Sequence, residues 1–413
     1  LVRTFEYFPS SNLFKIVLSV AVGQDILNSV VVRVAWPTAR GRVVNSNTFL
    51  VRFITMLRVP VISPDGRPLM PTKASRARRW INKGLAVVYQ NDLNVFAVQL
   101  VNKPSGEETQ DIAVGVDPGK LFSGIAVQSN KTTLWTGHLV LPYKKVRDRM
   151  DTRRMMRRTR RSRRINRKVC YSQRSHRQKR FSNRREKKVP PSIRANRQLE
   201  QRVIKELSLL YPLRVIVYEV VKARGSKGFS PVMVGQYWSI SQLERIAPVI
   251  QKQGWETALK REALGLVKDK ADKSRLSVNT HAVDGIALAA THFFRRKNYY
   301  HSNGKLSVPR NCDVTDATFY VIKRAPISRR QLHLLQFYKG GKRRKYGGTT
   351  TSHGFRKGDY VEAVKAGKQA RGWVSGETAR QVSVSDINWK RIGQFTARKV
   401  RLLKRSTGLI VNH

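Results

Sequence analysis

Between Lys144 and Lys188 the chain carries 22 lysines and arginines against three acids, Asp148, Asp151 and Glu186. No pattern in such a run can bury a core, so any domain here must be assembled from what lies on either side of it. From Met150 to Arg164 the run contains no helix breaker. Alone in water its like charges at i,i+4 weaken a helix. Against phosphates the same charges become favourable, and each neutralised phosphate releases counterions. A disordered basic tail is the plain alternative. The position argues against it, because strand-rich sequence stands on both sides, where a helix threaded between nucleic-acid lobes makes more sense. The whole chain shares the bias, with 413 residues and a net charge of +55. So large a charge repels itself unless it meets a polyanion, and nucleic acid is the default partner. A ribosomal-type protein is a serious rival on charge alone. A membrane-surface protein is not, since no long amphipathic basic helix adjoins an anchor.

The length suggests two to four domains, and a hydrophobic content of 40% can build real cores. Cys170 and Cys312 are far apart without CxxC neighbours, which indicates neither a disulfide framework nor a zinc site. A reducing, intracellular setting fits. No run of 18 apolar residues exists, so no membrane span is expected. Leu13 to Gly23 is interrupted by Lys15, and a signal peptide is not expected.

Residues 1–55 are less basic and show no clear periodicity. They read as an N-terminal extension of weak or isolated structure, either accessory or the product of a start placed too early, with the working protein beginning near Met56. Residues 56–105 read as a small basic α+β unit. Val59 to Ile62 is a strand, Ser63-Pro64-Asp65-Gly66 a turn, and Pro68-Leu69-Met70-Pro71-Thr72 leads into a helix from Ser75, a plausible N-cap, to Gly84. Arg76, Arg78 and Arg79 on it are candidate phosphate contacts. Residues 106–143 give three strands as a β-meander. The first, Ile112 to Val116, is an apolar β-branched run that ends on Asp117, followed by Pro118-Gly119 and a return strand. A carboxylate there needs a partner, and a metal ion would be one.

Residues 144–190 form the basic region, with Arg153, Arg154, Arg157, Arg158, Arg160, Arg161, Arg163 and Arg164 as nucleic-acid contacts. Residues 191–225 hold an amphipathic helix from Ala195 to Leu210 and a continuous apolar strand, Leu213 to Val221, with one acid, Glu219. Residues 226–305 contain a helix expected around Ser241 to Lys252 and a later one opening at Thr280-His281-Ala282-Val283-Asp284. His281 and Asp284 stand at i and i+3, on one face. Residues 306–413 read as a basic arm with Lys342, Arg343 and Arg344, then short strands at Phe355 to Ala363, Lys368 to Val374, Gln381 to Val384 and Lys399 to Val411, suggesting a small SH3-like barrel.

Asp117, Glu219, His281 and Asp284 are the candidate ligands, two on strands and two on one helical turn. Hard oxygen donors select Mg²⁺ or Mn²⁺, and two such ions can clamp the attacking and leaving oxygens of a phosphodiester. Each residue alone has a bland reading. Asp117 could cap a turn, Glu219 could pair with an arginine, His281 could be an ordinary core or surface histidine, and Asp284 could serve the helix N-terminus. Their order and element types together weigh more.

GVDPG on a first strand, VYEVV on a fourth and HAVDGIALA on a late helix resemble the three split pieces of a RuvC-type RNase H-fold nuclease. PLMPT with SRARRW, and the Arg-rich insertion after the third strand, resemble the PLMP domain and bridge helix of the IscB/IsrB family of transposon-encoded, RNA-guided nucleases. The resemblance covers about residues 56–413. It implies an α/β fold (α+β multidomain) with an RNase H-like RuvC core split by the bridge helix. It implies a guide RNA with a structured, omega-type scaffold, a double-stranded DNA target, and two Mg²⁺ ions held by Asp117, Glu219, His281 and Asp284. A monomeric chain in a ribonucleoprotein, in the prokaryotic cytoplasm near the nucleoid, goes with it. IscB proteins insert an HNH nuclease between the second and third RuvC pieces. Residues 220–280 contain no His and no Cys and are too few for that domain. The chain therefore resembles IsrB, and a single centre implies a nickase, by analogy on the non-target strand.

Two other readings are an RNA-independent, structure-specific endonuclease and a non-catalytic RNA-binding protein. RNase-resistant activity distinguishes the first, and absence of Mg²⁺-dependent nicking the second. All three predict nucleic-acid affinity that falls steeply with salt, measurable by anisotropy across a salt series. A flat profile would count against the phosphate contacts.

Overall fold

The computed structural model describes residues 3–7, 16–20, 29–34, 47–52, 57–163, 166, 168–173, 189–222, 230–294, 312–326 and 351–412. They fall into two compact units, Leu1–Met56 and Leu57–His413. The first holds four strands, β1 (Arg3–Tyr7), β2 (Ile16–Val20), β3 (Ser29–Val34) and β4 (Asn47–Arg52), paired antiparallel in chain order. Of the weak or isolated structure expected here, the described residues show a four-stranded sheet in a unit of its own. Its middle strands are rich in β-branched residues, which suit a pleated surface.

The second unit opens with β5 (Arg58–Ile62), β6 (Pro68–Lys73), helix α1 (Ala74–Asn82), β7 (Ala86–Tyr89) and β8 (Ala97–Leu100). The strands form a sheet in the order β6-β5-β8-β7, with Val59, Val61, Leu69, Ala77, Ala86 and Val98 as its core. Ser75 is not the N-cap. The extended chain runs straight from β6 into α1, so Lys73 takes that place and gives no side-chain cap bond.

The central sheet is built from four separate stretches of the chain. β9 (Ile112–Asp117), β10 (Phe122–Ser129) and β11 (Thr133–Val140) form an antiparallel meander. β12 (Leu213–Val220) lies parallel beside β9, and β13 (Val249–Gln253) parallel beside β12. Beyond β11 come β14 (Phe319–Arg324), parallel, and β20 (Leu409–Asn412), antiparallel to β14. Between β11 and β12 the chain makes the basic helix α2 (Tyr143–Arg163) and then α3 (Pro191–Leu210), with Pro191 at the first helical position, where its missing N–H costs nothing.

Residues expected as a helix near Ser241 to Lys252 divide differently. Helix α4 (Pro231–Leu243) takes in only Ser241 to Leu243 of them as its last residues, and Val249 to Gln253 pairs with β12. The apolar, β-branched Val249-Ile250 pair at an open sheet edge decides this. Helix α5 (Gly254–Ala263), a π-helical turn at Val278–Ala282 and helix α6 (Val283–Ala290) follow.

At the C-terminus β15 (Tyr360–Lys365), β16 (Lys368–Glu377), β17 (Gln381–Ser385), β18 (Arg391–Thr396) and β19 (Val400–Lys404) form a separate antiparallel sheet in the order β18-β17-β16-β15-β19. Val361, Ala363, Val374, Val382, Val384, Phe395 and Val400 are its core. Lys399 to Val411 is not one strand of it. The chain reverses at Gly408, whose φ of +88° glycine adopts without penalty, and Leu409–Asn412 joins the central sheet.

Strand alternation gives the central sheet two faces. Val114, Val116, Ile216 and Tyr218 pack in one core with Leu199, Val203, Ile204 and Leu207 of α3. Ala113, Val215 and Val217 turn the other way, onto Leu288 and Ala289 of α6. All eight residues of α6 are buried, and the helix sits almost backbone on backbone. A Cβ on Gly115 would come within 2.0 Å of the Gly285 carbonyl oxygen, and one on Gly124 within 1.9 Å of that of His281. Gly115→Ala is therefore expected to cost about 1–3 kcal/mol by overpacking, read as a lower urea midpoint. A change below about 0.5 kcal/mol, the range of an ordinary surface substitution, would mean that α6 is not seated on β9 in this way.

Candidate active site

The same alternation that buries Val116 and Tyr218 under α3 turns their successors, Asp117 and Glu219, toward α6. Tyr218 is in register with Val116, so the two carboxylates follow on neighbouring strands. On the other side Gly124 of β10 pairs with Asp117, and His138 of β11 pairs with Gly124. The row Glu219, Asp117, Gly124, His138 thus crosses four strands. The π-helical turn and α6 bring His281 and Asp284 over it. The structure gathers all four residues singled out in the sequence.

The turn after Asp117 is pinned from below by groups on α3. The Gly119 N–H donates to Ser123 Oγ at 3.1 Å, and Ser123 donates to Glu200 Oε1 at 2.5 Å. Arg197 Nη1 reaches both Glu200 oxygens at 2.7 Å, and Asn196 Nδ2 donates to the Lys120 carbonyl at 2.9 Å. Burial pushes the Glu200 carboxyl up in pKa, against the opposing pull of Arg197 and Ser123. Removing one member of so buried a pair strands a charge and costs several kcal/mol, on the order of 3–5. Sequence reading passed over Asn196, Arg197 and Glu200. The signal was there: Glu200 falls between Leu199 and Val203 on the apolar stripe of an amphipathic helix, where a charge needs a reason.

Glu219 accepts a hydrogen bond from Thr257 Oγ1 at 2.6 Å. Its pKa is raised to about 7, first by burial and then by the negative charge of Asp117, with Asp284 adding to the same effect. His281 Nε2 lies 3.0 Å from the Lys273 carbonyl oxygen. That oxygen can only accept, so Nε2 carries the proton and a neutral ring keeps Nδ1 as acceptor. Nδ1 faces Asp117 Oδ2 at 3.9 Å, too far for a direct hydrogen bond. The ring is wedged between Phe122 and His138, with centroids at 5.4 and 5.1 Å. His138 is fully buried, and burial, with His281 beside it, lowers its pKa to about 4. It is neutral at pH 7 and acts as packing for His281. Asp284, 3% exposed, is paired on Oδ1 with Arg261 Nη1 at 2.6 Å and on Oδ2 with the Lys268 ammonium.

The donor set suits a small hard cation in part. Asp117 and Glu219 offer carboxylate oxygens that raise each other's energy when both are charged, and His281 Nδ1 is nearby. Asp284 has both oxygens engaged by cations of the chain itself. Among the described residues, no group of three or more His, Cys, Asp or Glu side chains is arranged to hold a metal ion.

Of the basic residues, Arg76, Arg78 and Arg79 on α1 and Arg153, Arg154 and Arg158 on α2 are exposed. Arg154 also pairs with Asp151 at 3.3 Å. Arg157, Arg160, Arg161 and Arg163 lie on the helical backbone of α2, while Arg164, Lys342, Arg343 and Arg344 lie outside the described residues.

A family model described as RRXRR protein matches residues 59–227. That stretch includes Arg157-Arg158-Thr159-Arg160-Arg161, which has the form of the name. No curated protein matches. Among solved structures, T. thermophilus RuvC in complex with a Holliday junction substrate is similar at 12% identity, covering 44% of this chain and 92% of that one with a TM-score of 0.25. That likeness is too slight to carry an argument.

Glu219 supplies a pH test. A carboxyl with an ordinary value of 4.5 that ionises near 7 in the folded protein keeps its proton in the folded chain between those values while the unfolded chain has lost it. Its contribution to stability is then full below the lower value and is lost as pH rises to the upper one. Relative to Glu219→Gln, the wild type should lose on the order of 2 kcal/mol from pH 4.5 to 7, seen in urea midpoints at each pH. Parallel pH profiles would show that Glu219 ionises normally.

Proposed function

We propose that this chain is a divalent-metal-dependent endonuclease that nicks one strand of a DNA duplex, directed to its target by an RNA. The observation that carries the nuclease reading is the convergence of Asp117, Glu219, His281 and Asp284 on one face of the central sheet. The strand order β11-β10-β9-β12-β13, three antiparallel and two parallel, supports an RNase H-like core of RuvC type. RNA guidance rests on the resemblance of the PLMPT segment and the Arg-rich insertion to the IsrB group, and the match over residues 59–227 is consistent with it. The exposed arginines of α1 and α2 supply sequence-independent phosphate contacts to guide or target. The nickase reading rests on there being no histidine between Glu219 and His281 from which an HNH centre could be made. Cutting of the displaced strand, and a target-reading and RNA-contacting role for residues 306–413, follow from the same resemblance.

Asp117 and Glu219 would hold a Mg²⁺ or Mn²⁺ ion. When bound, such an ion lowers the pKa of water and neutralises charge on a phosphate. The chain's own groups do the rest. His281, with Nε2 committed to the Lys273 carbonyl, offers Nδ1 as the proton acceptor for a water molecule. Phe122 and His138 fix the plane of its ring. Glu219, its pKa raised by burial and by Asp117 when no cation is bound, would give up its proton to take the ion. The buried Arg197–Glu200–Ser123 group keeps the Asp117 turn in place.

A complex of the full chain with its RNA should convert supercoiled plasmid bearing a matched target to the open circle, without linear product, when Mg²⁺ is present. Asp117→Ala should abolish nicking, and His281→Ala should slow it about 10²–10⁴-fold, the range of a general base. Nicking unchanged in Asp117→Ala would overturn the site. Nicking that survives RNase treatment would favour a structure-specific endonuclease over RNA guidance.

A further inference from the structure

Asp284 is answered twice. Arg261 on α5 stands 2.6 Å from one oxygen, and the Lys268 ammonium is bonded to the other. The side chains of Arg261 and Lys268 are themselves only 13% and 24% exposed. One guanidinium suffices to neutralise a buried carboxylate, so the second cation needs its own reason. Lys268 is not a loose surface lysine. The Leu266 N–H donates to the Arg261 carbonyl at 2.9 Å, and the Asp269 N–H to that of Asn279 at 2.8 Å. The backbone on either side of Lys268 is thus tied, once to α5 and once to the π-helical turn that carries His281. The same loop delivers the Lys273 carbonyl to His281.

We propose that Lys268 is a resident cation of the active site: its ammonium, bound to Asp284, fills the place of a second divalent ion, so that the site takes one ion, against Asp117 and Glu219. This rests on the metal-dependent reading above. It explains why Asp284, alone of the four residues, has both carboxylate oxygens engaged by cations of the chain among the described contacts. An ammonium can satisfy a carboxylate lone pair and carry positive charge toward a phosphate. Lys268 is then a substrate-facing group as well as a placeholder, and Arg261 holds Asp284 in the orientation that receives it.

The test counts ions. The full chain, freed of nucleic acid at high salt, is titrated with Mn²⁺ while free Mn²⁺ is read by electron paramagnetic resonance. Wild type should take up one ion per chain, and Asp117→Ala should lose it. Lys268→Ala should take up two, Lys268→Arg one, and Lys268→Ala combined with Asp284→Asn one again. Two ions in the wild type, both lost in Asp117→Ala, would overturn the inference and leave the metal-dependent reading standing. One ion in a Lys268→Ala chain that melts like the wild type would also overturn it. Should that variant not fold, Lys268→Gln carries the same expectation of two ions and the same power to refute. No uptake by the wild type would sink the metal-dependent reading and the inference together.

Discussion

The seating of α6 on β9 and β10 is the contact on which the rest depends. At Gly115, Gly124 and Gly285 the helix and the sheet approach closely enough that any Cβ would collide with backbone. Dispersion falls off within an ångström or so, so this intimacy gives the helix one depth and one register against the strands. That depth carries His281 to 3.9 Å from Asp117. A bulkier interface would lift both helix residues away from Asp117 and Glu219 and leave four polar side chains with nothing in common. The nearly continuous burial of β9, β12 and α6 supplies the driving force, and the glycines convert it into position.

Electrostatics sets the second constraint. A chain of net charge +55 has no shortage of cations for a buried acid, yet it spends them unevenly. Arg197 is given to Glu200, and Arg261 with Lys268 to Asp284. Glu219 is given a hydroxyl, Thr257, and is left beside Asp117 with its pKa near 7. Carboxylates held together this way are destabilised in the charged form, and that destabilisation is what a bound cation relieves. The site is thus incomplete by design at Asp117 and Glu219 and complete at Asp284. The proposed centre, with one exchangeable cation and one built-in, rests on this asymmetry.

The basic insertion and the core are also connected. The residues after α2 lead into α3, whose Asn196, Arg197 and Glu200 hold the turn that follows Asp117. A helix on one face of the sheet therefore fixes the turn after Asp117, whose side chain faces the other. Closing a long insertion between β11 and β12 costs little more than closing a short one, because loop entropy grows only logarithmically with length. This is how strands separated by the whole Arg-rich run still pair side by side. The final strand, β20, does the same from the far end of the chain.

Much of this was legible in the residues. The apolar run ending on Asp117, the buried strand with a single Glu219 and the i,i+3 pair of His281 and Asp284 each carry their period in the sequence, and period alone decides which face a side chain takes. The Arg-rich run likewise announces by composition that it cannot be core. Tertiary structure decided what local patterns do not encode. Val249 to Gln253 became a strand because an open edge of β12 was there to receive it. Leu409 to Asn412 left its neighbours for β14 for the same reason. The partners of Asp284 were out of reach, since Arg261 and Lys268 are two lysine-or-arginine positions among 81, and only the folded chain places them on a carboxylate. Periodicity is a property of neighbours in the chain, and ion pairing is a property of neighbours in space. The sequence therefore determined the acids and their faces, while the fold alone determined which of those acids is already paired with cations of the chain.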